Sequence, residues 1–202
     1  MSRLIALVRH GVTDWNEQGR VMGRSDVPLN ERGQRQAEAV AAALADGSLD
    51  AVVASPQRRA LETAAPIAAA HRLSVTADAD LAEVWVGAWQ GHTFEELRDD
   101  ADVVRYLSDP THVCDAIEDA VSVQRRVIAA LDRLRGDHRG DRVAVVSHGD
   151  PIRLLLAHCL GMPLAEFRRL HVAPGSISVV RIGTRQPHVL AINWRPGSLE
   201  LA

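Results

Sequence analysis

This sequence predicts an α/β fold in three layers, an α/β/α sandwich with helices on both faces of a mostly parallel central sheet, and three observations carry that expectation. Short β-branched runs alternate with longer Ala/Leu/Arg stretches, the pattern of strands joined by crossover helices. The first run, Leu4 to Val8, is apolar at every position, as a strand buried on both faces should be. Unusual polar groups stand directly after three of the runs: Arg9-His10-Gly11, Ser55 to Arg59, and Ser147-His148-Gly149. The 202 residues (21.9 kDa) fit one domain, residues 1–202, because single cores keep growing to roughly 250 residues.

Leu4 to Val8 is the first strand. Beyond a polar loop, Asn30 offers an N-cap for a helix from Glu31 to about Ala45, with Gly47 as its stop. Ala51 to Ala54 is the next strand. Ser55-Pro56 reads as an N-cap followed by proline at the first helical position, and Pro66 is expected to kink or end the helix so opened. A weak strand at Leu73 to Val75 leads into a loop holding Glu83, Trp85, Gly87, Trp89 and Gly91, whose tryptophans are expected to pack the end of the sheet. Thr93 and Glu96 form a capping-box pair. Residues 98–119, Arg98 to Asp119, lack regularity, are rich in Asp and Glu, and read as a lid or cap segment. A helix from about Ala120 to Arg135, a turn from Gly136 to Gly140, and the strand Val143 to Val146 follow. Asp150-Pro151 then opens a helix through Leu160, and Ile177 to Ile182 with Val189 to Trp194 close the chain as a hairpin or edge strands.

Composition narrows the function. With 47% hydrophobic but only 3% aromatic residues, the core is built mainly of Ala, Val, Leu and Ile. Lys and Arg total 23 against 26 Asp and Glu, a net charge of −3 that argues against a nucleic-acid or membrane-surface partner. Cys114 and Cys159 are far apart and in no CxxC pattern, so two reduced thiols are expected. No histidine pair has HxxxH or HExxH spacing and no GxGxxG opens a helix, so neither a metal nor a dinucleotide cofactor is expected. The apolar run before Arg9 is shorter than the ~7–15 residues of a signal segment, and nothing approaches the ~20 residues of a membrane span, which points to the cytoplasm. Oligomeric state leaves no trace in one sequence, and a homodimer stays open.

The polar groups at the strand ends carry the chemistry. Open α/β sheets bind ligands at the carboxyl ends of their strands. Two histidines, two arginines and two helix N-termini converging there favour an anion, and phosphate best of all. A lone histidine after a strand is more often a turn residue. A histidine followed by glycine at two separate strand ends, the first also preceded by arginine, is hard to explain by packing.

The segment Leu7-Val8-Arg9-His10-Gly11-Val12-Thr13-Asp14-Trp15-Asn16 resembles the signature of the histidine phosphatase superfamily, also called phosphoglycerate mutase-like. Four further segments match it in order: Gly23 to Gly33 (GRSDVPLNERG), Ser55 to Ala64 (SPQRRALETA), Leu81 to Gly91 (LAEVWVGAWQG) and Val145 to Gly149 (VVSHG). The resemblance implies a small phosphorylated metabolite as substrate and His10 as the nucleophile, forming a phosphohistidine that water hydrolyses, with no metal required. It assigns Arg9, Arg59 and His148 to the phosphoryl oxygens, and Asn16 with the backbone around Gly23 and Gly149 as neutral donors. Arg58 is the poorer match of the adjacent arginines. Glu83 matches the acid/base residue, whose carboxyl must be protonated when substrate binds.

Within the superfamily, cofactor-dependent mutases carry a longer, more basic insertion where this chain has the acidic segment 98–119 with only Arg98 and Arg105, so a phosphatase is preferred. A phosphoglycerate mutase and a non-catalytic phospholigand-binding protein of the same fold are the alternatives. Val12, Met22 and Ile117-Glu118-Asp119 depart from the usual pattern. Apolar Val12 and Met22 beside an acidic lid suggest a leaving group that is neutral or partly cationic.

Overall fold

The computed structural model describes residues 2–109, 112, 117–136 and 140–197. Six strands, β1 (Arg3–Arg9), β2 (Ala51–Ala54), β3 (Val75–Ala77), β4 (Arg142–Ser147), β5 (Ile177–Ile182) and β6 (His188–Trp194), form one sheet in the order β3-β2-β4-β1-β5-β6. The first four are parallel neighbours, whereas β5 runs antiparallel to β1 and β6 antiparallel to β5. The mixed α/β class and mostly parallel sheet agree with expectation, and the closing pair is a hairpin.

Alternation along the central strands separates two cores. Ile5, Leu7, Val143 and Val145 pack with α5 (Ala120–Gly136) and α6 (Gly149–Leu160) on one face. Ala6, Val8, Ala144 and Val146 pack with α2 (Glu31–Leu44) and α3 (Arg58–Ala70) on the other. Register then sets the functional end of the sheet. Arg9 is opposite Ser147 and Ala54 opposite Val146, so all three polar segments leave the sheet side by side. Their first backbone bonds still follow the ladder: His10 N–H donates to Ser147 O at 3.0 Å, and Ser55 N–H to Val146 O at 2.9 Å. Gly11 is required by close packing, since a Cβ there would lie 2.5 Å from Gly33 O.

Several local expectations need correction. The helix α3 starts at Arg58 with Gln57 in the cap position, so Ser55-Pro56 is not its cap. Pro66 does not end it, because Ile67 and Ala68 beyond are buried against the sheet and hold the last turn in place. The weak strand lies two residues later than expected, at Val75–Ala77. For α6 the cap position belongs to His148, and Pro151 is the third helical residue, where its missing N–H is still one of the unpaired ones. Thr13-capped α1 (Asp14–Glu17) replaces part of the polar loop. The expected Thr93/Glu96 pair forms both its bonds, at 2.8 and 3.1 Å, but over turns instead of an α-helix. Segment 98–119 is partly regular: Asp100 accepts from the N–H groups of Asp102 and Val103 and caps α4 (Ala101–Ser108). The rest of that segment at residues 110–111 and 113–116, with Cys114, and the turn at 137–139 lie outside the described residues; Cys159 is a buried free thiol. Trp89 is buried edge-on against Tyr106 at 5.8 Å, as expected of a packing residue, but Trp85 is 44% exposed.

Candidate active site

At the C-terminal ends of β1, β2 and β4, His10, Arg59 and His148 are fully buried together. The His10 and His148 rings meet at 5.1 Å, inclined by 60°. His10 Nδ1 lies 2.7 Å from Gly11 O, and a carbonyl can only accept, so Nδ1 carries the proton and Nε2 the lone pair. Arg59 Nε–H donates to that Nε2 at 3.3 Å. Burial first, then the charges of Arg59 and Arg9, hold the His10 pKa well below the ordinary 6.5, against the bond to Gly11. The imidazole is therefore neutral across the physiological range.

Arg59 enters from the second residue of α3. Its Nη1 and Nη2 donate to Ser25 O and Gly23 O, both at 2.8 Å, which fixes the guanidinium plane. Burial pulls its pKa down to about 10, still charged at neutral pH. Arg9 is tethered by Nη1 to Val172 O at 2.6 Å, while its buried Nε has no partner. Gly149, at the start of α6, packs against that side chain: a Cβ there would lie 3.4 Å from Arg9 Cζ, in ordinary contact. His148 contacts Ser55 Oγ at 2.7 Å and Gln57 Oε1 at 2.8 Å through Nε2, and its Nδ1 is buried without a partner. Burial and Arg59 hold its pKa well below 6.5.

Glu83 completes the crevice from the loop after β3. Burial pushes its carboxyl pKa up and the nearby Asp150 carboxylate adds to the rise, against Arg59, the Val84 N–H and Arg9. Asn16 lines the same cavity, with Oδ1 engaged by Thr13 N–H at 3.0 Å, which leaves the Nδ2 donors for a ligand. Gly23 lines it too, but its carbonyl serves Arg59. Its left-handed backbone (φ +49°) admits no side chain, because a Cβ would meet Val86 at 2.5 Å. Arg58 points away, exposed and paired with Glu62 at 2.7 Å.

The cavity, about 350 Å³, extends from Arg9, Glu83 and Gly149 past Met22, Trp89 and Phe94. The segment 98–119 borders it through Val103, Tyr106 and Leu107, but none of its described acidic side chains lines it. Among its described acidic residues, Asp102 pairs with His112, Asp99 with Arg98, Asp100 caps α4 and Asp119 binds Ser122. Cations line the wall instead, Arg20, Arg153 and Arg168, so the ground for a neutral or cationic leaving group is removed. Among the described residues no group of three or more His, Cys, Asp or Glu is placed to hold a metal ion, and no helix is long and apolar enough to cross a membrane.

A family model described as the histidine phosphatase superfamily (branch 1) matches residues 5–195. The chain belongs to this superfamily. Phosphoserine phosphatase 1 of Hydrogenobacter thermophilus is 35% identical over 196 residues, spanning 96% of this chain and 92% of that protein. A bifunctional protein of Mycobacterium tuberculosis is 41% identical over 178 residues, 87% of this chain but 49% of that protein, so the chain spans about half the length of this relative. Among solved structures, a mycobacterial glucosyl-3-phosphoglycerate phosphatase superposes with a TM-score of 0.85 at 28% identity, covering 95% of this chain and 98% of the other. The alpha-ribazole phosphatase from Shigella flexneri gives 0.87 at 27% identity, covering 98% and 99%. Three of these four proteins are named phosphatases.

For this histidine phosphatase superfamily chain, sequence reasoning missed the residues that hold the loop bearing Glu83. Arg24 Nε and Arg126 Nη2 donate to Glu83 O at 3.0 and 3.2 Å, and Glu118 pairs with both arginines. Burial opposes ionisation of Glu118, but its bonds to Arg126 hold the carboxyl below its usual value. Ser55 and Gln57 at His148 also went unassigned. Arg126 lies in an ordinary amphipathic helix and carries no signal, whereas Glu118 stood out only as part of Ile117-Glu118-Asp119, a departure from the family pattern.

Proposed function

We propose that the chain is a metal-independent phosphomonoesterase acting on a small phosphorylated metabolite through a phosphohistidine at His10. The observation that carries this is the His10 ring: Nδ1 bound to Gly11 O and Nε2 held neutral and unprotonated beside the guanidinium of Arg59.

A phosphoryl group entering the crevice takes over the donors now idle or turned on Nε2. Arg9 Nε–H and Arg59 Nε–H can shift to its oxygens, with Asn16 Nδ2 as a neutral donor, an arrangement in place before charge develops. The Gln57 amide oxygen can only accept, so His148 Nε2 carries the ring proton in this arrangement, and Nδ1 becomes a donor to the phosphoryl group when the incoming anion favours a second proton on the ring. The Nε2 lone pair attacks phosphorus in line, the ester P–O bond breaks, and the Glu83 carboxyl passes its proton to the leaving oxygen. Glu83, now a carboxylate, takes a proton from water as that water attacks phosphorus. The N–P bond breaks, phosphate leaves, and His10 returns to its neutral form. The raised Glu83 pKa suits the first half of this cycle, and two guanidinium groups supply the positive charge that Mg²⁺ supplies in other phosphoryl-transfer sites.

Phosphate release from p-nitrophenyl phosphate in excess chelator, with His10→Asn alongside, tests this. Chelator-resistant turnover that falls to background in the variant is expected. Turnover that survives the substitution, or that chelator abolishes, overturns the proposal.

A further inference from the structure

We propose that Arg153 and Arg168 form a second anion site in the same cavity, one that receives a carboxylate carried on an apolar leaving group. The inference rests on the phosphomonoesterase proposal and adds the substrate's chemical class. Six buried side-chain nitrogen or oxygen atoms lack a partner among the described residues. Two, Arg9 Nε and His148 Nδ1, belong to the phosphate crevice. Two more, Arg153 Nε and Arg168 Nη2, belong to side chains that line the cavity beyond it. Buried donors without an acceptor are costly to keep, and a ligand in the cavity would supply the acceptor that Arg153 Nε and Arg168 Nη2 lack.

Both arginines are held in place by their other edges. Arg168 donates through Nη1 to Leu107 O at 3.3 Å, and its guanidinium lies 4.6 Å from the Tyr106 ring centre and 4.5 Å from that of Phe167. Arg153 donates through Nη1 to Asp150 Oδ1 at 2.8 Å. Arg20 lines the same cavity but is engaged with Gln18 and Gly91 O, at 2.9 and 2.6 Å, which leaves the pair as the receptive cations. Two guanidinium charges offset by the single carboxylate of Asp150 leave one positive charge, which matches a carboxylate better than a second phosphate dianion. Met22, Trp89, Phe94 and Leu107 supply apolar wall in the same cavity, suited to the body of the leaving group.

The test compares three aryl esters of similar leaving ability: phenyl phosphate, 4-(carboxymethyl)phenyl phosphate and 4-(aminomethyl)phenyl phosphate. Phosphate release gives kcat/KM for each. The intact protein is expected to favour the carboxylate over the neutral ester by roughly tenfold or more, the scale of a charge-assisted hydrogen bond, and to disfavour the ammonium. Arg168→Gln and, separately, Arg153→Gln should bring the carboxylate-to-neutral ratio down several-fold, and Arg168→Lys should restore part of it, with melting curves confirming that each variant folds. Calorimetric binding of 4-(carboxymethyl)benzylphosphonate against benzylphosphonate reads the same preference without turnover. An anion preference in binding with no turnover refutes only the hydrolase proposal. Turnover or binding with no carboxylate preference, or a preference that both Gln variants leave unmoved, overturns the second anion site.

Discussion

Asp150 shows how one side chain can tune this site. It lies at the start of α6, lines the cavity, and its charge is the second cause, after burial, of the raised Glu83 pKa. A general acid works only while protonated, so kcat/KM should fall as pH rises through the Glu83 pKa. Asp150→Asn removes the repulsion, lowers that pKa, and should move the alkaline limb of the kcat/KM profile to lower pH. An alkaline limb that stays in place would separate Asp150 from Glu83. Glu83→Gln should cost roughly 10²–10⁴-fold with an alkyl phosphate. The loss should be smaller with p-nitrophenyl phosphate, whose leaving oxygen needs little help from an acid. Equal losses with both esters would argue against proton donation by Glu83.

At the scale of elements, the loop bearing Glu83 is held from outside by Arg24 and Arg126, themselves bridged by Glu118. Glu118→Gln keeps the shape and removes the charge, so kcat should fall several-fold with KM changed less, because the acid is displaced while the phosphate cradle remains. A larger rise in KM than loss in kcat would show that this strut serves binding instead. Strands and the long helices were legible in the sequence because period and caps agree with packing: Leu4 to Val8 alternates between the two cores, and Asn30 accepts from Gly33 N–H as its position implies. The start of α3 was not legible, because Ser55 is drawn into hydrogen bonds with His148 and Gln57 that only the folded sheet creates. His10, Arg9, Arg59 and His148 could be picked out because they follow strands directly. Arg126, Arg153 and Arg168 are ordinary helical arginines until the fold turns them inward.

For the molecule as a whole, the site is a net liability that a ligand should relieve. His10 and His148 have folded pKa values below the ordinary 6.5, so above about pH 6.5 neither state carries the charge and there is no penalty. As pH falls below that value the unfolded chain gains protons that the folded site refuses, and stability drops. Glu83 acts in the opposite sense but is one group against two. Tm should therefore fall between pH 7 and pH 5, less steeply in His148→Gln, and an unchanged slope in that variant would contradict the burial of a neutral His148. Orthovanadate, a phosphoryl mimic, should raise Tm by roughly 5–10 °C at about 100 times its Kd. The same addition to Arg59→Gln should do much less.

The most direct measurement is rapid quenching of the protein with a ³²P-labelled phosphomonoester, followed by digestion and location of the label. An acid-labile, base-stable adduct on His10 that forms and decays at rates consistent with turnover, absent from His10→Asn and accumulating in Glu83→Gln with p-nitrophenyl phosphate, is the expected result. Steady turnover with no label on His10, or label on another residue, would contradict a phosphohistidine at this site.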